Sequence, residues 1–211
     1  MARSITDGLG MIEDIGGTKI LRSNYDKTSD LYLSVADKLK EITEQPNALE
    51  WFIEKGVCSY HNHDDAGKLV YQWPEFKDLI QFLKENIREY LQAVSVEEQD
   101  VVITGMWVNR YPPGAFIVRH NHDQIQDRDQ FINKGIIIGI VYYIRKDENA
   151  GSMVLDIPGY GKYNTKMEEG DVIIFNSSLY HWTIPNQGDT DKYTIGLEVI
   201  IGRNGVRLDE I

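Results

Sequence analysis

The segment Trp107 to Asp123, WVNRYPPGAFIVRHNHD, constrains the fold more than any other part of the chain. Two strand-like runs flank the turn Pro112 to Gly114, where proline presets φ for a bend and glycine accepts conformations that other residues resist. The second run ends on His120 and His122, which lie two residues apart. Because residues two apart in an extended chain share a face, both imidazoles are predicted to point the same way and to be able to hold one metal ion.

A distant histidine can complete this site. His181 follows the apolar run 171–175, which a turn-like Glu-Gly-Asp introduces. A near pair on one strand and a third histidine after another strand suit a metal site in a β-barrel, so we predict His120, His122 and His181 as ligands, against the alternative of structural histidines. The remaining two histidines, His61 and His63, lie in the polar loop SYHNHDDAGK. We interpret that stretch as a solvated loop, with an accidental metal site as the alternative.

Composition narrows the class of protein. The chain has 211 residues, of which 42% are hydrophobic and 26% charged, as in an ordinary soluble domain. It has no apolar run long enough to span a bilayer, MARSITDG lacks the apolar block of a signal peptide, and Cys58 is the single cysteine. We therefore expect a cytoplasmic protein without a membrane partner. A net charge of −11 disfavours nucleic acid as a partner, and the oligomeric state stays open.

Hydrophobic periodicity divides the chain at about residue 100. Helical spacing predicts helices over 28–43 and 74–94, with a short helix after Pro46 and a short strand near 19–22. Strand patterns follow at 101–110, 115–122, 135–145, 152–157, 171–176, 180–184 and 192–201. We expect one domain over 1–211, α+β but mainly β, in which 1–100 is mostly helical support, 101–201 a sandwich or barrel and 202–211 a tail.

The last predicted strand, KYTIGLEVII, indicates which face is covered. Its apolar face carries Tyr193, Ile195, Leu197, Val199 and Ile201 and needs helices to cover it. Its other face carries Lys192, Thr194, Gly196 and Glu198 and would line the interior. A lysine at the mouth of a barrel beside histidines favours an anionic small molecule held next to a metal.

Four segments together are similar to one family. RYPPGAFIVRHNHD resembles the first metal-binding strand of prolyl-hydroxylase-like 2-oxoglutarate- and Fe(II)-dependent oxygenases. VYYIRKDENAGSMVLDIP resembles their paired-tyrosine strand and its neighbour, and EEGDVIIFNSSLYHWTIPNQG resembles the segment of the distal histidine. KYT (192–194) stands where the family has a basic residue, one spacer and Ser or Thr. The resemblance covers roughly 101–201.

The resemblance implies a double-stranded β-helix (a jelly-roll, cupin-like) buttressed by the N-terminal helices. It implies that His120 and His181 bind Fe(II), that Lys192 pairs with the far carboxylate of the cosubstrate 2-oxoglutarate, and that Thr194 assists Lys192. Tyr111 and Tyr143 become candidates for hydrogen bonds to the cosubstrate, with core aromatics as the alternative. The implied reaction uses O₂ to hydroxylate a C–H bond of a peptide or small molecule while 2-oxoglutarate becomes succinate. The segments 124–134 and 159–169 lie where such folds carry substrate contacts, with plain surface loops as the alternative.

One position departs from the family pattern. The usual ligands are two histidines and a carboxylate, but His122 stands at the carboxylate position and Asp123 follows it. Strand alternation aims Asp123 outward, whereas a bulge after Asn121 would turn it inward as the alternative ligand or a neighbour of the ligands. A cupin-like protein that binds Zn(II) or another metal without 2-oxoglutarate is the second hypothesis. A nucleic-acid-demethylating oxygenase is the third, and the charge disfavours it.

Overall fold

The computed structural model describes residues 10–45, 53–54, 56–59, 64, 67–96, 101–122, 137–201 and 206–207. Two α-helices, α1 (Thr28–Glu44) and α2 (Lys77–Ala93), precede most of the strands, and two short 3-10 helices, Val70–Gln72 and Pro74–Phe76, lead into α2. The strands are β1 (Met11–Ile15), β2 (Thr18–Asn24), β3 (Ile53–Glu54), β4 (Val57–Cys58), β5 (Val101–Tyr111), β6 (Phe116–Ile117), β7 (Ile137–Arg145), β8 (Met153–Ile157), β9 (Gly161–Asn164), β10 (Asp171–Asn176), β11 (His181–Thr183), β12 (Lys192–Ile201) and β13 (Val206–Arg207).

The strands form two antiparallel layers. The large sheet has the order β1-β2-β10-β7-β12-β5-β13, with β4 also paired to β5. The second layer contains the sheet β11-β8-β9 and the pair β3-β6, which an isolated bridge between His120 and His181 connects. Apart from the β1-β2 hairpin, strands that are neighbours in the large sheet are distant in the chain, as the crossing connections of a jelly-roll require. The predicted double-stranded β-helix is therefore confirmed.

Both helices cover the outer face of the large sheet. α1 lies over β5 and β7, and α2 lies over β2 and β10. On β12, the alternate residues Tyr193, Ile195, Leu197 and Val199 are buried in this helix–sheet core. The helices contribute Leu31, Val35, Leu39, Ile42, Leu79, Ile80, Leu83, Ile87 and Leu91 to the same core. Burial of each such aliphatic side chain stabilises the fold by about 1.5–3 kcal/mol, which explains why the helices settle on this face.

The inner face of the large sheet is partly apolar and partly polar. A second hydrophobic cluster fills part of the space between the layers with Ile20, Tyr143, Met153, Leu155, Ile157, Met167, Ile173 and Phe175. The inner face of β12 instead buries Lys192, Thr194 and Glu198. Polar groups buried in this way need partners, so this end of the sandwich is where a site is expected.

The structure differs from the sequence prediction in several elements. The predicted strand 115–122 is regular only over β6. Farther along, His120 joins β11 through an isolated bridge. Neither β1 nor β9 was predicted; both are hairpin partners of better-patterned neighbours. Ile53–Glu54 pairs with β6 where a helix was expected, so tertiary pairing overrides the local pattern there. The histidines of the polar loop, 61 and 63, lie outside the described residues.

The N-terminal hundred residues supply β1 and β2 of the large sheet as well as the helices, and β13 pairs with β5 beyond residue 201. The division into support, core and tail stays a prediction. Among the described residues, neither helix has the length and apolar character needed to cross a bilayer.

Candidate functional site

Two of the predicted ligands are fixed by main-chain pairing. The amide of His120 donates to the carbonyl of His181 over 3.0 Å, and the amide of His181 donates back over 2.8 Å. Residues paired in this way place their side chains on the same side of the ladder. Their imidazole centroids accordingly lie 4.2 Å apart.

His122 reaches the same place by a different route. Its amide donates to the carbonyl of Ser177 over 3.1 Å, which holds the chain against the end of β10 after the strand has ceased to be regular. The His122 ring lies 5.5 Å from the ring of His120 and 5.1 Å from that of His181. One nitrogen from each of the three imidazoles lies within 4.8 Å of the others. The three predicted side chains therefore come together.

The second nitrogen of each ring is already occupied. Nδ1 of His120 donates to the carbonyl of Val118 at 2.9 Å, and Nδ1 of His181 donates to the carbonyl of Leu179 at 2.8 Å. Nδ1 of His122 instead donates to the carboxylate Oε2 of Glu198. A carbonyl only accepts, so Nδ1 carries the proton and Nε2 keeps its lone pair. Three Nε2 lone pairs are left for a cation.

Burial keeps two rings of this cluster, those of His120 and His181, uncharged. Removal from water lowers the pKa of His120 to about 4, and it lowers the pKa of His181 well below the ordinary 6.5, with mutual repulsion among the rings adding to the effect. Both imidazoles are therefore neutral at neutral pH, the form that coordinates a metal. Three imidazole nitrogens at this spacing fit a divalent ion such as Fe(II) or Zn(II).

Aromatic side chains wall the histidine cluster. The Phe175 ring meets His181 edge-on at 5.1 Å, and the Trp107 indole lies 6.5 Å from His122. Gly196 lies beneath this indole: a Cβ there would come within 2.4 Å of the indole ring, so only glycine lets Trp107 lie over β12. These rings lower the local dielectric constant and limit access of water to the imidazoles.

Lys192 lies on the same inner face and is completely buried. Its Nζ donates to the carbonyl of Gly151 over 2.7 Å and lies 4.0 Å from the ring centroid of Tyr111 and 6.0 Å from that of Tyr143. Burial, reinforced by Lys146, lowers its pKa to about 7, and no carboxylate of the described residues offsets this. A buried ammonium without an anionic partner is costly, so Lys192 fits a site that an anionic ligand completes.

The neighbours of Lys192 are also polar and buried. Asn109 Nδ2 is 3.4 Å from Thr194 Oγ1, a weak contact, and Asn109 Oδ1 is buried without a hydrogen-bond partner in the part of the chain that the structure describes. The Tyr111 hydroxyl contacts both Thr194 and Asn109, and burial raises its pKa. An amide oxygen without a partner, beside an ammonium without an anionic partner among the described residues, marks a place for a polar ligand, since an amide can present either its oxygen or its nitrogen.

Tyr143 has a structural bond and a spare donor. Its hydroxyl oxygen accepts a hydrogen bond from the amide of Met153 at 3.0 Å, and burial raises the pKa of the phenol. The ring belongs to the apolar cluster between the layers. Because the hydroxyl hydrogen is still available for donation, the geometry is compatible with both roles considered for this tyrosine.

Several site residues were missed or lie elsewhere. Strand alternation places Glu198 and Gly196 on the inner face but indicates no role for either. Asn109 and Trp107 lie at the same alternate positions of β5 as Tyr111, which is the signal that could have identified them. Asp123 and the expected substrate loop 124–134 lie outside the described residues. The other expected substrate segment, 159–169, contains β9, which pairs with β8 in the second layer.

Comparison with known proteins extends this description. No family model and no curated protein matches the chain. A Pseudomonas putida prolyl-4-hydroxylase has a TM-score of 0.63 at 14% identity, over 90% of this chain and 94% of that one. A Trichoplax adhaerens prolyl hydroxylase, in complex with a peptide fragment of the hypoxia-inducible-factor oxygen degradation domain, has a TM-score of 0.60 at 13% identity, over 86% and 83%. HygX from Streptomyces hygroscopicus, with nickel, 2-oxoglutarate and hygromycin B bound, has a TM-score of 0.57 at 13% identity, over 89% and 83%.

These likenesses extend over most of each chain, so they concern the whole architecture rather than one hairpin. The chain has the fold of prolyl-hydroxylase-like 2-oxoglutarate oxygenases, as its sequence segments predicted. Identities of 13–14% establish the fold alone, since one fold supports many functions.

Proposed function

We propose that the protein is a 2-oxoglutarate- and Fe(II)-dependent dioxygenase that hydroxylates a C–H bond of a peptide or small-molecule substrate. The observation that carries the proposal is Lys192, a completely buried ammonium inside the sandwich that also holds the three histidines. A metal site alone leaves this cation unexplained. A dicarboxylate that spans the space between metal and lysine gives both features a role.

The residues divide the work between them. His120, His122 and His181 would hold the metal, which when bound supplies the site at which O₂ and the 2-oxo acid react. Lys192 would pair with the far carboxylate, while Thr194 and Tyr111 would donate hydrogen bonds to it. The proposed reaction converts 2-oxoglutarate, O₂ and R–H into succinate, CO₂ and R–OH. Phe175 and Trp107 would exclude water from the site.

The similar structures indicate only broad substrate classes for this chain. One of the similar structures is in complex with a peptide fragment and another has hygromycin B bound, so the fold accommodates both kinds of molecule. We retain both classes for this chain. The net charge of −11 supports neither a nucleic-acid substrate nor an anionic membrane as a partner.

A second candidate function has its own supporting observation. Three imidazoles, without a carboxylate among the described ligands, also suit Zn(II) in a cupin-like metal protein that does not use 2-oxoglutarate. This candidate gives Lys192 no role. The two functions therefore differ in whether a 2-oxo acid binds next to the metal.

An absorbance experiment separates them without knowledge of the substrate. Anaerobic Fe(II)-loaded protein is titrated with 2-oxoglutarate, and the visible charge-transfer band of a chelated 2-oxo acid is followed. We expect a saturable band in wild type, no band in His120→Ala, and a much weaker affinity in Lys192→Met. Iron-loaded wild type without any band would favour the cupin-like protein.

A further inference from the structure

Glu198 and His122 form a buried carboxylate–imidazole pair. Oε2 of Glu198 accepts the hydrogen bond from Nδ1 of His122, and the two side chains are 6% and 16% exposed. The other two histidines of the cluster use Nδ1 differently, because each donates to a backbone carbonyl two residues earlier. His122 is thus the one imidazole of the cluster whose described Nδ1 partner carries a negative charge.

The strands on both sides of β12 leave space for the side chain of Glu198. In register, Glu198 pairs with Gly139 of β7 and Gly105 of β5, so both neighbouring strands present glycine at this level of the sheet. A Cβ at Gly139 would touch Phe175 and Ser177 at 3.0–3.1 Å, which shows how full the space is. Burial of an unpaired carboxylate costs free energy of folding. An apolar residue at position 198 would therefore destabilise the fold less than an unpaired glutamate would.

We infer that Glu198 is a positioning residue of the metal centre, which holds His122 in place and restores the negative charge that a histidine at the carboxylate position removes. The inference rests on the metal site of the proposed function. Two histidines and a carboxylate give a bound ion one negative charge, whereas three neutral imidazoles give none. The carboxylate of Glu198 returns that charge one ring farther away, where low dielectric preserves much of its effect.

The hydrogen bond also fixes the geometry of the ring. Beyond β6 the chain is no longer regular strand, and the amide of His122 is held by its bond to the carbonyl of Ser177. A carboxylate on Nδ1 sets both the ring rotation and the tautomer, which directs Nε2 at His120 and His181. Charge and orientation are separable, because glutamine at 198 keeps an acceptor oxygen and loses only the charge.

The first experiment measures metal affinity without cosubstrate. Co(II) is titrated calorimetrically into apo wild type, Glu198→Gln and Glu169→Gln. Glu169 is a suitable control because its carboxylate bonds Arg145 and the Lys146 amide, away from the histidines. We expect Glu198→Gln to bind Co(II) about ten- to a hundredfold more weakly and Glu169→Gln to bind as wild type does. Unchanged affinity in Glu198→Gln would overturn the inference.

A second readout separates a charge effect from a loss of fold. The Fe(III)/Fe(II) potential should rise in Glu198→Gln, because the lost negative charge stabilised the more positive ion, and it should not move in Glu169→Gln. A potential equal to that of wild type would reduce Glu198 to a structural residue and contradict the inference.

A double variant tests whether Glu198 acts through His122. This test does not require the Glu198→Gln single variant to fold. His122→Asp places a carboxylate at the ligand position, so Glu198 then faces a like charge. We expect His122→Asp with Glu198→Gln to bind Co(II) at least as tightly as His122→Asp alone. A further loss on adding Glu198→Gln would show that Glu198 acts elsewhere. None of these measurements uses 2-oxoglutarate. Failure of the metal-loaded protein to bind that cosubstrate would therefore contradict the proposed dioxygenase activity without contradicting this inference.

Discussion

The main chains of His120 and His181 are joined by two hydrogen bonds, of 3.0 Å and 2.8 Å, that make these distant residues an antiparallel pair. The pair is therefore part of the sandwich rather than an addition to it, and two imidazoles are oriented before any ion arrives. His122 depends instead on Ser177 and Glu198. The site consists of a rigid pair and a third ring whose position needs its own support.

Loss of the third ring should remove most metal affinity. We expect His122→Ala to retain little iron, because two imidazoles remain where three converge within 4.8 Å. Asp123→Ala should retain iron close to the wild-type amount, because His122 already supplies the third converging nitrogen. Iron content measured side by side in the two purified variants is sufficient. Intact iron in His122→Ala would transfer the ligand role to Asp123.

Removal of the buried ammonium should weaken cosubstrate binding. Lys192→Met should cost about 1.5–3 kcal/mol in the free energy of 2-oxoglutarate binding, the range for hydrogen bonds to charged groups, and should leave metal affinity nearly unchanged. Lys146→Met is the matched control, because Lys146 is a nearby lysine with other partners. Calorimetric titration of metal-loaded protein provides the comparison, and equal affinity in Lys192→Met and wild type would favour the cupin-like protein.

Lys192 should also give the apoprotein a distinctive dependence of stability on pH. Its pKa is about 7 in the folded protein against 10.5 as the ordinary value, so between these values the unfolded chain binds a proton that the folded protein does not. Stability should therefore rise as pH increases from about 7 towards 10, and the penalty is complete below 7. Urea unfolding at pH 7 and pH 9.5 should show a smaller rise in Lys192→Met. The same rise in both proteins would exclude Lys192 as its source.

The two adjacent tyrosines of β7 provide a controlled comparison. The Tyr143 hydroxyl accepts from the Met153 amide on the inner face, whereas the Tyr142 hydroxyl donates to Thr28 Oγ1 on the helix side at 2.9 Å. Tyr143→Phe leaves the buried Met153 amide without this partner and should cost about 1–3 kcal/mol of stability, whereas Tyr142→Phe should cost about 0.5–1.5 kcal/mol because Thr28 Oγ1 keeps its bond to the Tyr25 carbonyl. We expect a loss of 2-oxoglutarate affinity only in Tyr143→Phe. Equal cosubstrate affinities in both variants would make Tyr143 a core aromatic alone.

Much of this arrangement could be predicted because it depends on local pattern. Alternation alone assigns Lys192 and Thr194 to the inside of β12 and Leu197 to the helix side, and apolar stripes reveal both helices. The short strands β3 and β9 could not be predicted, because two to four residues carry little pattern and their pairing partners decide their structure.

The missing part of the site has a different cause. The contact between Glu198 and His122 depends on the register of β12 against β7 and on the hydrogen bond from the His122 amide to Ser177. Neither can be deduced from the local sequence. The prediction that His120 and His122 face the same way is confirmed by their rings, which are 5.5 Å apart. The expected reason, a regular strand through position 122, is wrong, because the strand ends at Ile117 and tertiary hydrogen bonds orient the second ring.

The central claim is that 2-oxoglutarate binds this protein by chelating a metal held by the three histidines while Lys192 holds its far end. Thermal unfolding, measured anaerobically with Fe(II) alone, with 2-oxoglutarate alone, with both and with neither, tests this most directly, since a ligand that binds only the native state raises the melting temperature. We predict that 2-oxoglutarate raises the melting temperature only when Fe(II) is present. Equal shifts with and without the metal would contradict the account.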